Sequence, residues 1–183
     1  MLYMVLYPET QEKVHSIIDS VIGNHRRPTL QDRQMLPYVD AVLMEIQRCN
    51  TIAPLTVPHR ALQDTTLNGY YIPKDTVALP SLWCVLHDKE HWGDPQSFRP
   101  SRFIDDDGML IKDEIFIPFG IGKRLCPGEA LARNTMFLFF TSLMQAFYVQ
   151  LPPGSTKPSI ESLSGFTTAP KPFEVIFKSR HKL

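Results

Sequence analysis

Apolar residues near the start of the chain recur at the spacing of one helix face. They follow an i, i+3, i+4, i+7, i+8 pattern, and the residues concerned are Val14, Ile17, Ile18, Val21 and Ile22. Pro8 is favourable in the first turn of a helix, and Gly23 is favourable just after its end. The pattern therefore predicts an amphipathic helix over residues 8–22, with its apolar face turned toward a core.

A second apolar stripe predicts a helix over residues 37–49. Pro37 suits its first turn, and the stripe consists of Val39, Val42, Leu43 and Ile46. Arg48 lies roughly opposite this stripe and three residues after Glu45. Periodicity alone therefore predicts an exposed Glu45–Arg48 ion pair, which would stabilise the helix by only about 0.2–0.5 kcal/mol.

The pattern changes to short strand-like pieces over residues 55–80. Asn68-Gly69 separates the runs Thr-Thr-Leu and Tyr-Tyr-Ile, which is a strong signal for a tight hairpin turn. A short helix is predicted next, over residues 81–89. The N-terminal half of the chain therefore combines helices with small strand pairs.

Irregular structure and one long helix are predicted in the C-terminal half. Residues 91–118 are rich in proline, aspartate and glycine and show little periodicity, which is typical of a functional or wrapped segment. Residues 127–145 predict a helix that is apolar on every side after Thr135, so we expect it in a core. The tail, residues 152–183, predicts one strand over 173–177.

Composition narrows the class of protein. Nineteen basic and 19 acidic residues give a net charge of zero, so no general attraction for nucleic acid is expected. The three cysteines, Cys49, Cys84 and Cys126, form no sequence pairs, which excludes a disulfide framework and indicates a reducing compartment. We expect Cys49 and Cys84 to be small buried residues.

One short motif could indicate zinc. His87-Asp-Lys-Glu90-His91 matches the H-x-x-E-H pattern, in which two histidines bind the metal and a glutamate acts as base. Trp92-Gly-Asp-Pro follows at once, so the helix would be too short to hold such a site rigidly. We therefore do not predict a zinc site.

The most informative segment covers residues 119–129. It is a glycine-rich turn that places the Cys126 thiol just before a helix. A helix N-terminus favours thiolate over thiol, and Arg124 adds a nearby cation. Gly122 and Gly128 lack side chains, so a flat ligand could approach the backbone closely. The residues alone leave two alternatives open, an activated thiol and a structural cysteine.

Three motifs occur along the chain in a fixed order. They are Glu45-Ile-Gln-Arg48, then Phe98-Arg-Pro-Ser-Arg102-Phe103, then Phe119, Gly122, Arg124, Cys126 and Gly128 at the spacing F-x-x-G-x-R-x-C-x-G. Together they resemble the E-x-x-R helix, the meander and the haem-ligand loop of the cytochrome P450 family. The segments at 57–64, 69–76 and 127–140 further resemble the microsomal animal branch of that family. The resemblance implies a mainly α fold with small β-sheets. Residues 1–183 would be an incomplete, C-terminal part of one such domain, with the meander over 91–118 and the ligand loop over 119–128.

The resemblance also implies roles for individual residues. Cys126 would be the catalytic residue and the axial thiolate ligand of iron in haem b (iron protoporphyrin IX). The other cofactor-binding residues would be Arg124 and His59 at the propionates, with Phe119, Gly122 and Gly128 around the ring. Glu45, Arg48 and Arg102 would form a buried ion network. Substrate would contact Leu55, Thr56, Val57, Phe166 and Thr167.

The family's activity gives the functional expectation. It is a haem-thiolate monooxygenase that inserts one atom of O2 into a small apolar organic substrate, with electrons from NADPH through NADPH–cytochrome P450 reductase. Lys123, Arg124 and Arg133 could form a cationic docking face or simply solvate a helix end. Two alternatives stay open: isomerase or dehydratase chemistry without O2 activation, and a non-catalytic truncated product.

The chain begins late relative to the family's pattern. We expect the membrane anchor, the long central helix and most of the substrate cover to precede residue 1. The resemblance implies the cytosolic face of the endoplasmic reticulum membrane, or alternatively the mitochondrial inner membrane, with membrane association only for the full-length protein. By itself the chain is expected to bind haem weakly and not to turn over substrate.

Overall fold

The computed structural model describes residues 1–181. Its helices are α1 (Leu2–Leu6), α2 (Pro8–Val21), α3 (Pro37–Asn50), α4 (Leu82–Leu86), α5 (Lys89–Trp92) and α6 (Glu129–Ala146). Short 3₁₀ helices cover Leu30–Met35, Pro100–Phe103 and Gly122–Arg124. The single helix predicted over 81–89 is wrong. Two short helices replace it, since Asp88 is extended and its side chain caps α5 by accepting from the Glu90 N–H at 2.9 Å.

The strands form two-stranded antiparallel pairs. They are β1 (His59–Arg60) with β4 (Val77–Ala78), β2 (Thr65–Leu67) with β3 (Tyr70–Ile72), β5 (Phe147–Gln150) with β8 (Ile176–Ser179), and β6 (Ser162–Leu163) with β7 (Ala169–Pro170). Asn68 and Gly69 both have positive φ, 48° and 82°, and join β2 to β3. Positive φ at both central residues is the signature of a type I′ hairpin turn, as the Asn-Gly pair predicts.

The strand expected over residues 173–177 lies slightly later, at β8. Its partner β5 was not predicted, because it follows α6 without any turn residue between them. The β5–β8 pairing sets the position of both strands, with Phe147 opposite Ser179 and Gln150 opposite Ile176. Residues 182 and 183 of the predicted tail lie outside the described residues.

Two hydrophobic clusters form the interior, and α3 belongs to both. The larger cluster joins α1, α2, α3, α6 and β5, and its buried members are Tyr3, Met4, Val14, Ile18, Ile22, Leu36, Val39, Val42, Phe137, Phe140, Met144 and Val149. The smaller cluster joins α3 to the meander through Ala41, Leu86, Trp92, Phe103 and Phe116. Every residue of α3 is buried or half-buried, because it packs on both sides.

The expectation that α6 is buried on every side is wrong for this structure. One side packs into the larger cluster, whereas Leu131 is 73% exposed and Phe139 is 68% exposed. The remainder of residues 1–181 packs against only that one side. Within these residues no helix has both the length and the apolar character that a bilayer crossing requires.

A buried histidine joins α2 to β5. His15 is 7% exposed, and its Nε2 lies 3.2 Å from the carbonyl oxygen of Phe147. Burial lowers the pKa of His15 to about 4 from its ordinary 6.5, and nearby Arg180 acts in the same direction, against a smaller opposing effect of Asp19. The folded state therefore holds this imidazole neutral at pH values where the unfolded chain protonates it.

The lowered pKa predicts acid sensitivity. The contribution of neutral His15 to stability is complete above pH 6.5 and is lost as the pH falls from 6.5 to about 4. We expect His15→Gln, which keeps an N–H donor without titrating, to flatten this dependence by about 1–2 kcal/mol. Urea unfolding at pH 7 and pH 4.5 measures it, and identical pH profiles for both proteins would contradict the assignment.

Candidate functional site

A cavity of about 520 Å³ lies between the end of α3, β1, α4 and the loop that precedes α6. It brings together most of the residues that the sequence singled out, namely Leu55, Thr56, Val57, His59, Phe119, Arg124, Cys126 and Phe166. Three of the described residues predicted for the site, Gly122, Gly128 and Thr167, do not line this cavity. Its wall is mainly apolar, so it suits a flat or apolar ligand with a few polar ends.

The loop that carries Cys126 is closed by its own backbone. The Cys126 N–H donates to the Phe119 carbonyl at 3.0 Å, and the Leu125 N–H donates to the Gly122 carbonyl at 3.1 Å. Gly120 and Gly122 have φ of 81° and 69°, a left-handed conformation that side chains rarely adopt. The glycines thus permit a tight turn that delivers an exposed thiol to the cavity.

The surroundings of the sulfur suit a metal-bound thiolate. Cys126 lies three residues before Glu129, the first residue of α6, whose N–H donates to the Cys126 carbonyl at 3.3 Å. The N-terminus of this 18-residue helix favours negative charge nearby. A side chain at Gly128 would place its Cβ 3.8 Å from the Cys126 sulfur, so glycine leaves one side of the sulfur open.

Two polar groups at the cavity lack partners. The Nε2 atom of His59 is buried and forms no hydrogen bond within residues 1–181. The exposed guanidinium of Arg124 likewise forms no ion pair with any described residue. Leaving a buried polar atom unpaired is unfavourable, so His59 indicates a ligand with an acidic or hydrogen-bonding group. These three groups suit haem. The thiol can bind its metal, and the imidazole and the guanidinium can bind its two carboxylates.

On α3, Glu45 forms the centre of a buried ion network. The Glu45 and Arg48 side chains are both 0% exposed, and the Arg48 Nε and Nη2 atoms donate to the Glu45 carboxylate at 2.8 and 3.0 Å. Arg102 Nε and the backbone N–H of Arg99 also donate to Glu45 Oε1, at 3.0 and 2.8 Å. The exposed pair that periodicity predicts is therefore wrong, because the meander covers the polar face of α3.

The two histidines of the H-x-x-E-H motif lie on different elements. His87 ends α4, with its Nδ1 3.0 Å from the Trp83 carbonyl oxygen, and His91 lies in α5, with its Nε2 2.8 Å from Asp113 Oδ2. No group of three or more metal-binding side chains occurs in the described part of the chain.

The other two cysteines differ from each other. Cys84 is exposed, so its predicted burial is wrong. Leu82 and Leu86 form the buried side of α4, and Cys84 lies with Trp83 on its exposed side. Cys49 is half-buried, and burial raises the pKa of its thiol to about 12, with Glu45 adding to the effect. The Cys49 thiol therefore stays protonated at neutral pH.

Several cavity residues were missed by the sequence analysis. Gln47, Val85, Ile117 and Ile121 line the wall but belong to no apolar pattern that marks a site. Gln47 lies inside the E-x-x-R motif, and Ile117 lies just before the glycine-rich turn. Their closeness to a motif was therefore the one sequence signal that could have placed them at the site. Val85 gives no such signal, because only the fold brings α4 to the cavity.

Comparison with known proteins agrees with these features. A family model described as Cytochrome P450 matches residues 1–177. Over 180 residues the chain is 50% identical to cytochrome P450 2U1 of Homo sapiens, covering 98% of this chain and 33% of that protein. It is 45% identical over 181 residues to cytochrome P450 2B2 of Rattus norvegicus, and 43% identical over 180 residues to farnesoate epoxidase of Bombyx mori.

The last two alignments cover 98% of this chain and 37% and 36% of the respective relatives. The chain therefore spans about a third of the length of these curated relatives. The helices and small antiparallel strand pairs of this chain are consistent with a part of the fold of these relatives. The match over nearly the whole sequence, together with the cysteine loop and the buried E-x-x-R network, shows that the chain belongs to the cytochrome P450 family.

Proposed function

We propose that this chain provides the haem-thiolate part of a monooxygenase. The observation that carries the proposal is the cavity, which is lined by the exposed Cys126 thiol and by His59 and Arg124. Among residues 1–181, His59 Nε2 has no hydrogen-bond partner and Arg124 forms no ion pair. In this proposal haem b would occupy the cavity, and the Cys126 sulfur would bind its iron. When bound, the group supplies the redox chemistry that activates O2.

The residues around Cys126 prepare its sulfur for this role. Ligation requires loss of the thiol proton. The sulfur is accessible from the cavity, and Cys126 lies two residues after Arg124 and three residues before the first residue of α6. The thiolate would then be the electron-rich sulfur ligand that haem-thiolate chemistry requires. Gly128 keeps the neighbourhood of the sulfur free of a side chain.

His59 and Arg124 hold the acidic edge of the cofactor. Both would hydrogen-bond to propionate carboxylates, for which a guanidinium offers paired donors. Phe119, Gly122 and Gly128 are the further residues proposed around the ring. Phe119 lines the cavity and, in this proposal, would shield the face of the ring on the side of Cys126.

The proposed substrate is a small apolar organic molecule. Leu55, Thr56, Val57 and Phe166 line the cavity and leave few polar groups for specific recognition. The name of one relative, farnesoate epoxidase, indicates oxygen transfer to farnesoate by that protein. That activity of the relative supports monooxygenation over isomerase or dehydratase chemistry for this chain.

Electrons are proposed to come from NADPH through NADPH–cytochrome P450 reductase, at the cytosolic face of the endoplasmic reticulum membrane. Lys123 is exposed beside the cysteine loop and offers a positive charge for docking. Arg133 contributes less, because its Nε donates to Glu129 at 2.7 Å and its guanidinium lies over the ring of Phe119.

Reconstitution with haem tests the proposal. We expect this chain alone to bind haem weakly but with thiolate ligation. NADPH-dependent O2 uptake with product formation is expected only when the substrate-covering part of a P450 domain and the reductase are both present. Product formation from an apolar substrate without O2 uptake would instead favour the isomerase alternative. A chain that takes up haem without thiolate ligation would contradict the assignment of Cys126.

Substitution of the two polar groups should weaken haem binding. We expect His59→Leu and Arg124→Gln each to raise the dissociation constant for haem about 10-fold, because each removes a charge-assisted hydrogen bond. Arg60→Gln is the matched control, since Arg60 neighbours His59 on β1 but pairs with Asp75 at 3.6 Å and does not line the cavity. Optical titration measures the constants, and equal effects of all three substitutions would contradict specific roles.

A further inference from the structure

One loop reaches the cavity from the C-terminal tail. Residues 164–168 connect β6 to β7, and we call this segment the 164–168 loop. Within it Phe166 lines the cavity while remaining 75% exposed, whereas the adjacent Thr167 does not line it. The position of this one aromatic ring therefore depends on how the loop is held.

The strands that flank the loop hold it only weakly. β6 and β7 contain two residues each, and within residues 1–181 each pairs with no other strand. A hairpin this short is not stable in water by its pairing alone. The adjacent Lys171–Glu161 ion pair is exposed, so it adds little. Another contact must fix the loop.

Thr168 provides that contact at the end of α3. Its backbone N–H donates to the Ile52 carbonyl at 2.8 Å. Its hydroxyl lies 2.9 Å from the Asn50 carbonyl oxygen and 3.3 Å from that of Thr51. The last carbonyl groups of a helix have no partner within the helix, so Thr168 satisfies acceptors that α3 leaves free.

The anchoring point is itself buried. Thr51 is 2% exposed, and its hydroxyl donates to the backbone carbonyl of Arg48 at 2.9 Å, which closes the last turn of α3. The loop also admits no additional bulk, since a Cβ at Gly165 would lie 2.9 Å from the Thr167 carbonyl oxygen. Thr168 thus joins a narrow loop to a fixed helix end.

We propose that Thr168 is a positioning residue that sets the place of Phe166 and thereby selects which apolar groups the cavity accepts. The inference rests on the proposed function, because it assigns selectivity to the same cavity. Thr168 does not line the cavity, so it acts through the loop and not through contact with substrate.

Two variants separate the hydroxyl from the shape of the side chain. Thr168→Val removes the donor and keeps the volume, whereas Thr168→Ser keeps the donor. Amide hydrogen exchange over residues 164–168 is the first measurement and needs no haem. We expect exchange in Thr168→Val to be about 5- to 10-fold faster than in the parent, and Thr168→Ser to restore the parent rate.

Ligand binding in the haem-loaded chain is the second measurement. Imidazole and 4-phenylimidazole both bind haem iron through nitrogen, but only the second presents a phenyl group to the apolar wall. We expect Thr168→Val to weaken 4-phenylimidazole about 5-fold relative to imidazole, and Thr168→Ser to restore the parent ratio.

Each outcome has a defined meaning. Unchanged exchange in Thr168→Val would overturn the anchoring role, and faster exchange with an unchanged ligand ratio would overturn the selective role. Equal weakening of both ligands would also overturn selectivity, since it would indicate general damage to the site. A chain that takes up no haem would contradict the proposed function, and the exchange measurement would still decide whether Thr168 anchors the loop.

Discussion

Replacing Cys126 with serine is expected to abolish thiolate ligation of haem and, wherever the complete P450 domain is present, monooxygenase turnover as well. A serine hydroxyl keeps its proton at neutral pH, so it cannot donate electron density as an anion. The cysteine loop should otherwise survive, because its closing hydrogen bonds are made by backbone groups. The reduced, carbon monoxide-bound optical spectrum reports the ligand directly, and product formation with reductase and NADPH reports turnover.

Cys84 supplies the matched control for this experiment. Its thiol is exposed, as that of Cys126 is, but it lies on α4 and does not line the cavity. Cys84→Ser should therefore keep the parent spectrum and rate. An unaltered spectrum and full turnover in Cys126→Ser would remove the basis for a haem-thiolate site in this chain.

The second large effect is expected at Glu45. Glu45→Ala should lower the free energy of unfolding by about 3–5 kcal/mol, because it leaves the buried Arg48 without its counter-charge. Glu45 also accepts from Arg102 and from the Arg99 backbone, so the meander should loosen as well. Urea unfolding of the parent and variant, followed by circular dichroism, measures the difference.

Two further variants make this prediction interpretable. Glu129→Ala removes a partly exposed i,i+4 pair with Arg133 and should cost only about 0.5–1 kcal/mol. Glu45→Gln keeps hydrogen-bonding oxygen and should fold even where Glu45→Ala does not, with a smaller loss of stability. If Glu45→Ala and Glu129→Ala destabilised the chain equally, the buried network would have no special energetic role.

Local sequence patterns predicted those parts of the fold in which local chemistry decides the structure. The apolar stripe from Val14 to Ile22 gives α2, and Asn68-Gly69 gives the hairpin turn between β2 and β3. Local sequence patterns were less informative where tertiary packing decides the secondary structure. Phe147–Gln150 forms β5 only because β8 returns beside it, and no turn residue marks the change from helix to strand.

The candidate site divides in the same way. The cysteine loop is contiguous in sequence, so its glycines, its cation and its thiol were all visible before the fold was known. The burial of Glu45 could not come from periodicity, because the covering segment at Arg99 and Arg102 lies far along the chain. The contact of Thr168 with Asn50 likewise depends on two segments that only the fold brings together.

The packing of α3 on both sides limits how this protein can vary. A helix with a solvent-facing side accepts many substitutions there, since surface changes usually alter stability by no more than about 0.5 kcal/mol. α3 has no such side, because its apolar stripe meets one cluster and its polar side meets the other. Tolerance to mutation should therefore be low along its entire length, and polar positions such as Gln47 should be as restricted as Val42.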